Sequence, residues 1–142
     1  MTREKIQAFF AKRRETWATR DPEVLASGHA PDGTVISPMF GPLRGRAAIA
    51  DSYRSLFVTF PDWGFVGEDV LIDGDRVAEP FTATATHVGE FMGLAGTNRR
   101  FQIQGVRLFD MGEDGLIRHE RRLYDFTGAL IQMGVLRGKP AR

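Results

Sequence analysis

Residues 2–19 carry Ile6, Phe9, Phe10, Arg13 and Trp17 at spacings of three and four, with charged residues between them. This pattern predicts a first helix with one buried stripe. Asp21-Pro22 reads as an N-cap followed by proline at the first helical position, opening a short helix over Glu23 to Ser27 that Gly28 stops. Val35 and Ile36 suggest a brief strand, and residues 38–45 (PMFGPLRG), with two prolines and two glycines, read as a loop. In the third helix Ile49, Tyr53, Leu56, Phe57 and Phe60 share a face, and Pro61 ends the run. From Asp62 onward the rhythm is that of strands, roughly 63–72, 76–88, 99–110 and 116–126, divided by Asp73-Gly74-Asp75, the glycine-rich stretch 89–98 and Gly112-Glu113-Asp114-Gly115. Strands this long make a strongly curved sheet. Thr127 is placed to cap a last short helix through Gln132 and Met133, ending near Gly134, with the final residues RGKPAR as a loose tail.

Helices first and antiparallel strands afterwards define an α+β fold with the helices on one face of the sheet. With 142 residues, 42% hydrophobic and 26% charged, the chain has the composition of one globular domain, taken as residues 1–142. The absence of cysteine excludes thiol nucleophiles, disulfides and Cys-based zinc sites. Nineteen Lys and Arg against eighteen Asp and Glu leave a charge of +1, which argues against a nucleic-acid partner. The charged N-terminus and the lack of a long apolar run argue against a membrane partner and for a soluble, cytoplasmic protein. His29 and His87 are in no metal-ligand spacing and His119 lies in the charged run RHERR, so no metal site is expected. Eleven Phe against two Tyr and two Trp supply aromatic surface that suits an apolar core or an apolar pocket.

The strings GPLRGRAAI (41–49), FPDW (60–63), GDRVAEPFTATATHVGEFMG (74–93), NRRFQIQGVRLF (98–109) and YDFTGALIQMG (124–134), in this order, resemble the SnoaL-like polyketide cyclase family of the nuclear-transport-factor-two and ketosteroid-isomerase-like superfamily. The resemblance implies a cone-shaped curved antiparallel sheet, three N-terminal helices packed on its concave face, a short C-terminal helix, an apolar pocket and a dimer. It also implies that Asp125, just before the terminal helix, is the acid/base residue of an intramolecular aldol closure, with no cofactor. The chain departs from the family's common pattern at Arg121, where an aromatic is usual, at Arg107, where an acid is common, at Glu79, where a small apolar residue is usual, and at Ile36-Ser37, where His-Asp is often seen.

Strand alternation puts His119, Arg121, Leu123 and Asp125 on one face and Glu120, Arg122 and Tyr124 on the other; with Asp125 facing the pocket, the first set is inward. On the neighbouring strands Glu79, Phe81, Ala83, Ala85 and Phe101, Ile103, Gly105, Arg107, Phe109 are the inward sets. The expected catalytic group is therefore Asp125 as base, with His119, Arg121 and Arg107 stabilising an enolate oxygen. Substrate contacts are expected from Glu79, Tyr53, Trp17, Phe40, Phe65, Phe81, Phe109 and Leu123, with Phe91 and Met92 on a glycine-rich rim. The first reading is a cyclase, aldolase or isomerase-type catalyst acting on a polyketide-like or other carbonyl substrate. The alternative is a binding module whose arginine grips a carboxylate-bearing apolar molecule. An epoxide hydrolase ranks third, because Arg107-Leu108-Phe109 lacks the second aspartate that chemistry needs. Arg107, Arg121, Glu79 and Asp125 also sum to zero charge, and the alternative for Glu79 and its arginines is a satisfied ion-pair network. Thr82, Thr84, Thr86, Gln102 and Gln104 form a semi-polar outer face suited to a homodimer.

Overall fold

In the computed structural model, which describes residues 1–138, the Thr2 side chain accepts the backbone N–H of Lys5 at 3.2 Å and starts helix α1 (Arg3–Thr19). Its buried residues are Ile6, Phe10, Arg13 and Trp17, a stripe with one charge in it. Asp21 caps α2 (Pro22–Ser27) by accepting from Glu23 and Val24 at 3.0 and 3.3 Å. Strand β1 (His29–Ser37) is much longer than the Val35-Ile36 pair suggested. The stretch read as a loop contains strand β2 (Gly41–Arg44), paired antiparallel with β1. Pro42 is tolerated there because β2 is an edge strand, where a missing N–H disturbs no ladder beyond it. Helix α3 (Arg46–Thr59) buries Ile49, Tyr53 and Leu56 as its spacing predicts.

The segment expected as a single strand over 63–72 is two, β3 (Gly64–Gly67) and β4 (Leu71–Asp73), both pairing with β5 (Arg76–Thr86). The break faces Pro80, which has no N–H to offer; its carbonyl accepts from Glu68 at 2.8 Å instead. Strands β6 (Arg100–Met111) and β7 (Ile117–Tyr124) complete the sheet, and α4 (Phe126–Gln132) closes the described chain. The tail expected at the C-terminus lies, for residues 139–142, outside the described residues.

Strand order is β2-β1-β7-β6-β5-β3, with β4 also on β5. The expected wholly antiparallel sheet is corrected at one place: β1 and β7 run parallel, Val35 beside Glu120 and Ile36 beside Arg121. The chain between them, α3 and the later hairpins, supplies the long crossover that a parallel pair requires. At Gly105 the sheet approaches itself so closely that a Cβ there would lie 2.3 Å from the Leu123 carbonyl.

Two apolar clusters fill the curved sheet. Trp17, Leu25, Tyr53, Phe60, Phe81 and Phe101 anchor one, with Ala129 and Met133 from the C-terminal segment. Ile6, Phe10, Val77, Phe109, Met111 and Ile117 form the other. Every long element crossing from one cluster to the other carries a charge at the crossing: Arg13 on α1, Glu79 on β5, Arg107 on β6 and Glu120 with Arg122 on β7, all buried. No helix among the described residues is long and apolar enough to cross a membrane.

Candidate functional site

The β5–β6–β7 register sets Glu79, Arg107 and Arg122 directly opposite one another in one row, with Phe109 and Glu120 in the next, all on the concave face. Glu120 is the hub of the group. Its Oε2 accepts from Arg122 Nε at 2.5 Å and lies 3.6 Å from Arg107 Nη1, while Oε1 is 3.6 Å from His29 Nε2. Burial alone would raise the Glu120 pKa, but Arg122 and then Arg107 overcome it and hold the carboxyl well below its usual range. Burial would likewise lower Arg122; the adjacent Glu120 carboxylate overcomes it and raises the pKa.

From the helical side, the Tyr53 hydroxyl accepts from Arg13 Nη2 at 2.9 Å and from Arg122 Nη2 at 3.1 Å, so one phenol on α3 joins the helices to the sheet. Arg13 also donates to the Leu25 carbonyl at 3.0 Å and approaches His29 Nε2 at 3.2 Å. Arginine can only donate, so Nε2 is the acceptor and the ring proton sits on Nδ1. Burial and the nearby Arg13 charge push the His29 imidazole down to a pKa of about 3, so it is neutral at pH 7.

Arg107 differs from the other two arginines. Its guanidinium carbon lies 4.6 Å from the ring centroids of Trp17 and Phe65 and 5.1 Å from that of Phe81, and its Nε and Nη1 are buried without a hydrogen-bond partner. Aromatic faces stabilise the cation, but they leave its N–H groups available. Glu79 is buried on the same row, and desolvation raises its pKa against the pull of Arg107 and Arg13. Counted together, Arg13, Arg107 and Arg122 face Glu79 and Glu120, which leaves one positive charge unmatched.

A cavity of about 20 Å³ borders this group, lined by Met39, Phe40, Leu56, Trp63, Phe81, Ile103, Arg107, Arg122 and Tyr124. That volume holds about one water, so a larger ligand requires its wall to move; Met39, Phe40 and Tyr124 are the lining residues that are only half-buried. Its walls are apolar, its polar side chains are donors (two guanidinium groups, the Trp63 indole N–H and the Tyr124 hydroxyl), and no carboxylate lines it. Burial raises the Tyr124 pKa, keeping the phenol protonated.

A second concavity, about 590 Å³, lies on the outer face and is lined by Thr34, Ile36, Leu71, Arg76, Asp110, His119 and Arg121 among others. Although far larger, it is the weaker candidate. Leu71 and Ile36 on its walls are 67% and 50% exposed, and several of its polar groups already pair: Thr34 with His119 at 2.6 Å, Arg76 with Asp110 at 3.6 Å. On the interior cavity, by contrast, Arg107 and Trp63 have buried N–H groups without a hydrogen-bond partner.

Four expected site residues are corrected by the geometry. His119, Arg121 and Leu123 are exposed on the outer face, and Asp125 is not in the strand at all. Asp125 is the N-cap of α4 in place of the expected Thr127, accepting from Gly128 N at 2.8 Å with its carboxylate exposed. The inward set of β7 is Glu120 and Arg122. A bulge at Arg118, where Asp110 pairs His119 and Met111 pairs Ile117, places two successive residues outward before alternation resumes. Met92 is also exposed at 66%, Phe91 packs into the core against Phe60 and Phe126, and Phe109 belongs to the other apolar cluster, away from the cavity. Arg107, Glu79, Tyr53, Trp17, Phe65, Phe81 and Phe40 do gather at or beside the polar group. Residues that sequence reasoning did not single out are Glu120, Arg122, Tyr124, His29, Trp63 and Met39. Arg13 was legible only as a charge on a buried stripe.

The cap role of Asp125 has a measurable consequence. Asp125→Ala is expected to cost about 1 kcal/mol of stability, while Asp125→Asn, which can still cap, costs a few tenths. Thermal unfolding of both variants checks this; equal losses would contradict the cap.

The open, curved sheet with helices packed over a buried polar layer is an α+β cone fold. The chain belongs to the SnoaL-like polyketide cyclase family, whose sequence profile matches residues 9–133. None of the curated proteins matches it. Its fold is similar to that of AclR from Streptomyces galilaeus, assigned provisionally as a hydroxylase (23% identity, TM-score 0.81, covering 98% of this chain and 91% of that one). TsrD from Streptomyces laurentii is similar too (24%, TM-score 0.82, 96% and 99%). So is IdmH from Streptomyces antibioticus, assigned provisionally as a polyketide cyclase (27%, TM-score 0.74, 92% and 99%).

Proposed function

We propose that this family member is an electrophilic catalyst of cyclase type, acting on a small dicarbonyl substrate in the interior cavity. The substrate's enolate oxygen is held by Arg107 and Arg122, and Tyr124 is the proton donor. The observation that carries this reading is Arg107: a buried guanidinium with two unpartnered N–H groups beside a cavity whose polar side chains donate. Preorganised donors in a water-poor site stabilise charge that develops on a carbonyl oxygen as the α-proton leaves. A carbon between two carbonyls is acidic enough to give that proton to water once its enolate is stabilised. In ring closure the enolate carbon then bonds to a second carbonyl carbon, whose oxygen takes up a proton.

Deuterium uptake at the central carbon of a panel of β-keto esters and β-diketones, followed by NMR, tests the proposal. Wild type is expected to exchange well above buffer. Arg107→Met is expected to lose roughly 100-fold, by analogy with removal of one oxyanion donor, and Asp125→Asn to stay within about twofold of wild type. Loss of exchange in Asp125→Asn would restore the aspartate as base. The lack of a carboxylate on the cavity wall favours a second reading, a carboxylate-binding module without chemistry. That reading prevails if wild type binds carboxylates tightly through Arg107 and exchanges no faster than buffer.

A further inference from the structure

Trp63 stands on the same cavity and has no part in the chemistry above. Its position is fixed from both sides. The Trp63 backbone N–H donates to the Phe60 carbonyl at 3.0 Å, and the Trp63 carbonyl accepts from Arg20 Nε at 3.1 Å. The preceding Asp62 accepts from the Thr86 backbone and hydroxyl at 2.8 and 2.7 Å. The indole packs near Phe60 and Phe101, ring centroids 5.9 and 6.4 Å away, contacts that a phenylalanine would also make. What distinguishes the indole is its Nε1–H, which is buried and has no hydrogen-bond partner, although buried tryptophan N–H groups usually find one. Arg107 is the other cavity-lining side chain with buried, unpartnered N–H groups. The cavity lining thus includes a cationic donor and a neutral one, together with the apolar Leu56, Phe81 and Ile103. The polar layer carries a single unmatched positive charge, which a single negative charge balances.

We infer that the ligand of this cavity is a monoanion with a second, uncharged oxygen acceptor: its anionic oxygen sits on Arg107 and a carbonyl oxygen accepts the Trp63 indole N–H. Oxo-carboxylates and enolised dicarbonyls fit this class; simple fatty acids lack the second acceptor, and neutral ketones lack the charge. Trp63 is then a specificity-determining residue. The inference rests on the assignment of Arg107 as the anion-binding group.

The chain has two tryptophans, so its indole N–H region in a proton–nitrogen correlation spectrum holds two signals, assignable with Trp63→Phe. The probes are octanoate, octan-2-one and the oxo-octanoates with the carbonyl at successive positions. The expected result is that at least one oxo-octanoate binds wild type roughly 3- to 10-fold more tightly than octanoate, the range of one net hydrogen bond. That probe alone moves the Trp63 signal downfield, and Trp63→Phe removes the advantage without weakening octanoate. Should octanoate and every oxo-octanoate bind equally well through Arg107 with the Trp63 signal unmoved, the second acceptor is overturned and the anion site stands. Carboxylate binding that is absent, matched by octan-2-one, or unchanged in Arg107→Met overturns the anion site and this inference with it.

Discussion

Glu120→Gln is expected to lower the melting temperature by roughly 10 °C. The carboxylate is fully buried and is the nearest negative charge to two buried guanidinium groups, Arg122 at 2.5 Å and Arg107 at 3.6 Å. Removing it leaves both cations in a poorly solvated interior, and breaking a buried pair from one side costs about 3–5 kcal/mol. In a domain whose whole stability is about 5–15 kcal/mol that is a large share, and each kcal/mol corresponds to about 2–4 °C at this size. Removing the pair together behaves differently. Glu120→Leu with Arg122→Met is expected to be less harmful than the single change, because desolvation offsets much of what the ion pair gains. Exposed Arg121→Ala, one residue away on the opposite face, should stay within about 0.5 kcal/mol. Thermal unfolding by circular dichroism checks all three, and a Glu120→Gln shift below about 3 °C would remove Glu120 from the centre of the site.

The second large effect is with pH. His29 is neutral in the folded protein down to about 3 and titrates near 6.5 when unfolded. Above pH 6.5 the two states bind the same number of protons at this residue, and nothing is lost. As the pH falls through 6.5 the unfolded chain gains a proton that the native protein does not, so stability falls with acidification until about pH 3. From pH 7.5 to 5 the expected loss is about 2 kcal/mol. Glu120, depressed by its arginines, acts in the same direction below about pH 4.5, while Glu79, raised by burial, works against it between its folded value and 4.5. Urea unfolding at pH 7.5 and 5 measures the loss, and His29→Gln should flatten it. Equal midpoints at both pH values in wild type would show that His29 is not buried in its neutral form.

The legible parts of the chain were those where hydrophobicity alternates. On β5 Val77, Phe81, Ala83 and Ala85 leave no doubt which face is inward, and Glu79 falls on it by parity; Phe101, Ile103 and Phe109 do the same for Arg107 on β6. The run Arg118 to Arg122 contains only charged residues and histidine, so nothing in its pattern sets the parity of β7. Counting back from Asp125 as though it were a strand residue inverted the face, and the bulge at Arg118 concealed the error from the other end. Tyr124, Glu120 and Arg122 were readable only as the set opposite His119 and Arg121. The loop reading of residues 38–45 failed for a related reason: glycine and proline forbid a central strand but permit an edge one.

The parallel contact of β1 with β7 has a consequence for how the chain is made. Thr34 and His119 touch across 85 residues, and β7 lies between β1 and β6 in the sheet. A ribosome therefore delivers the strand that joins the two halves of the sheet after all the others. Until it arrives, β2 with β1 and β6 with β5, β3 and β4 are separate pieces, each with an unpaired edge. At about 5–20 residues per second that interval is set by translation, and the non-local closure that ends it is slow by nature. The sheet is then completed by one late, highly charged segment, and a nascent chain stopped before residue 117 has no way to unite its sheet.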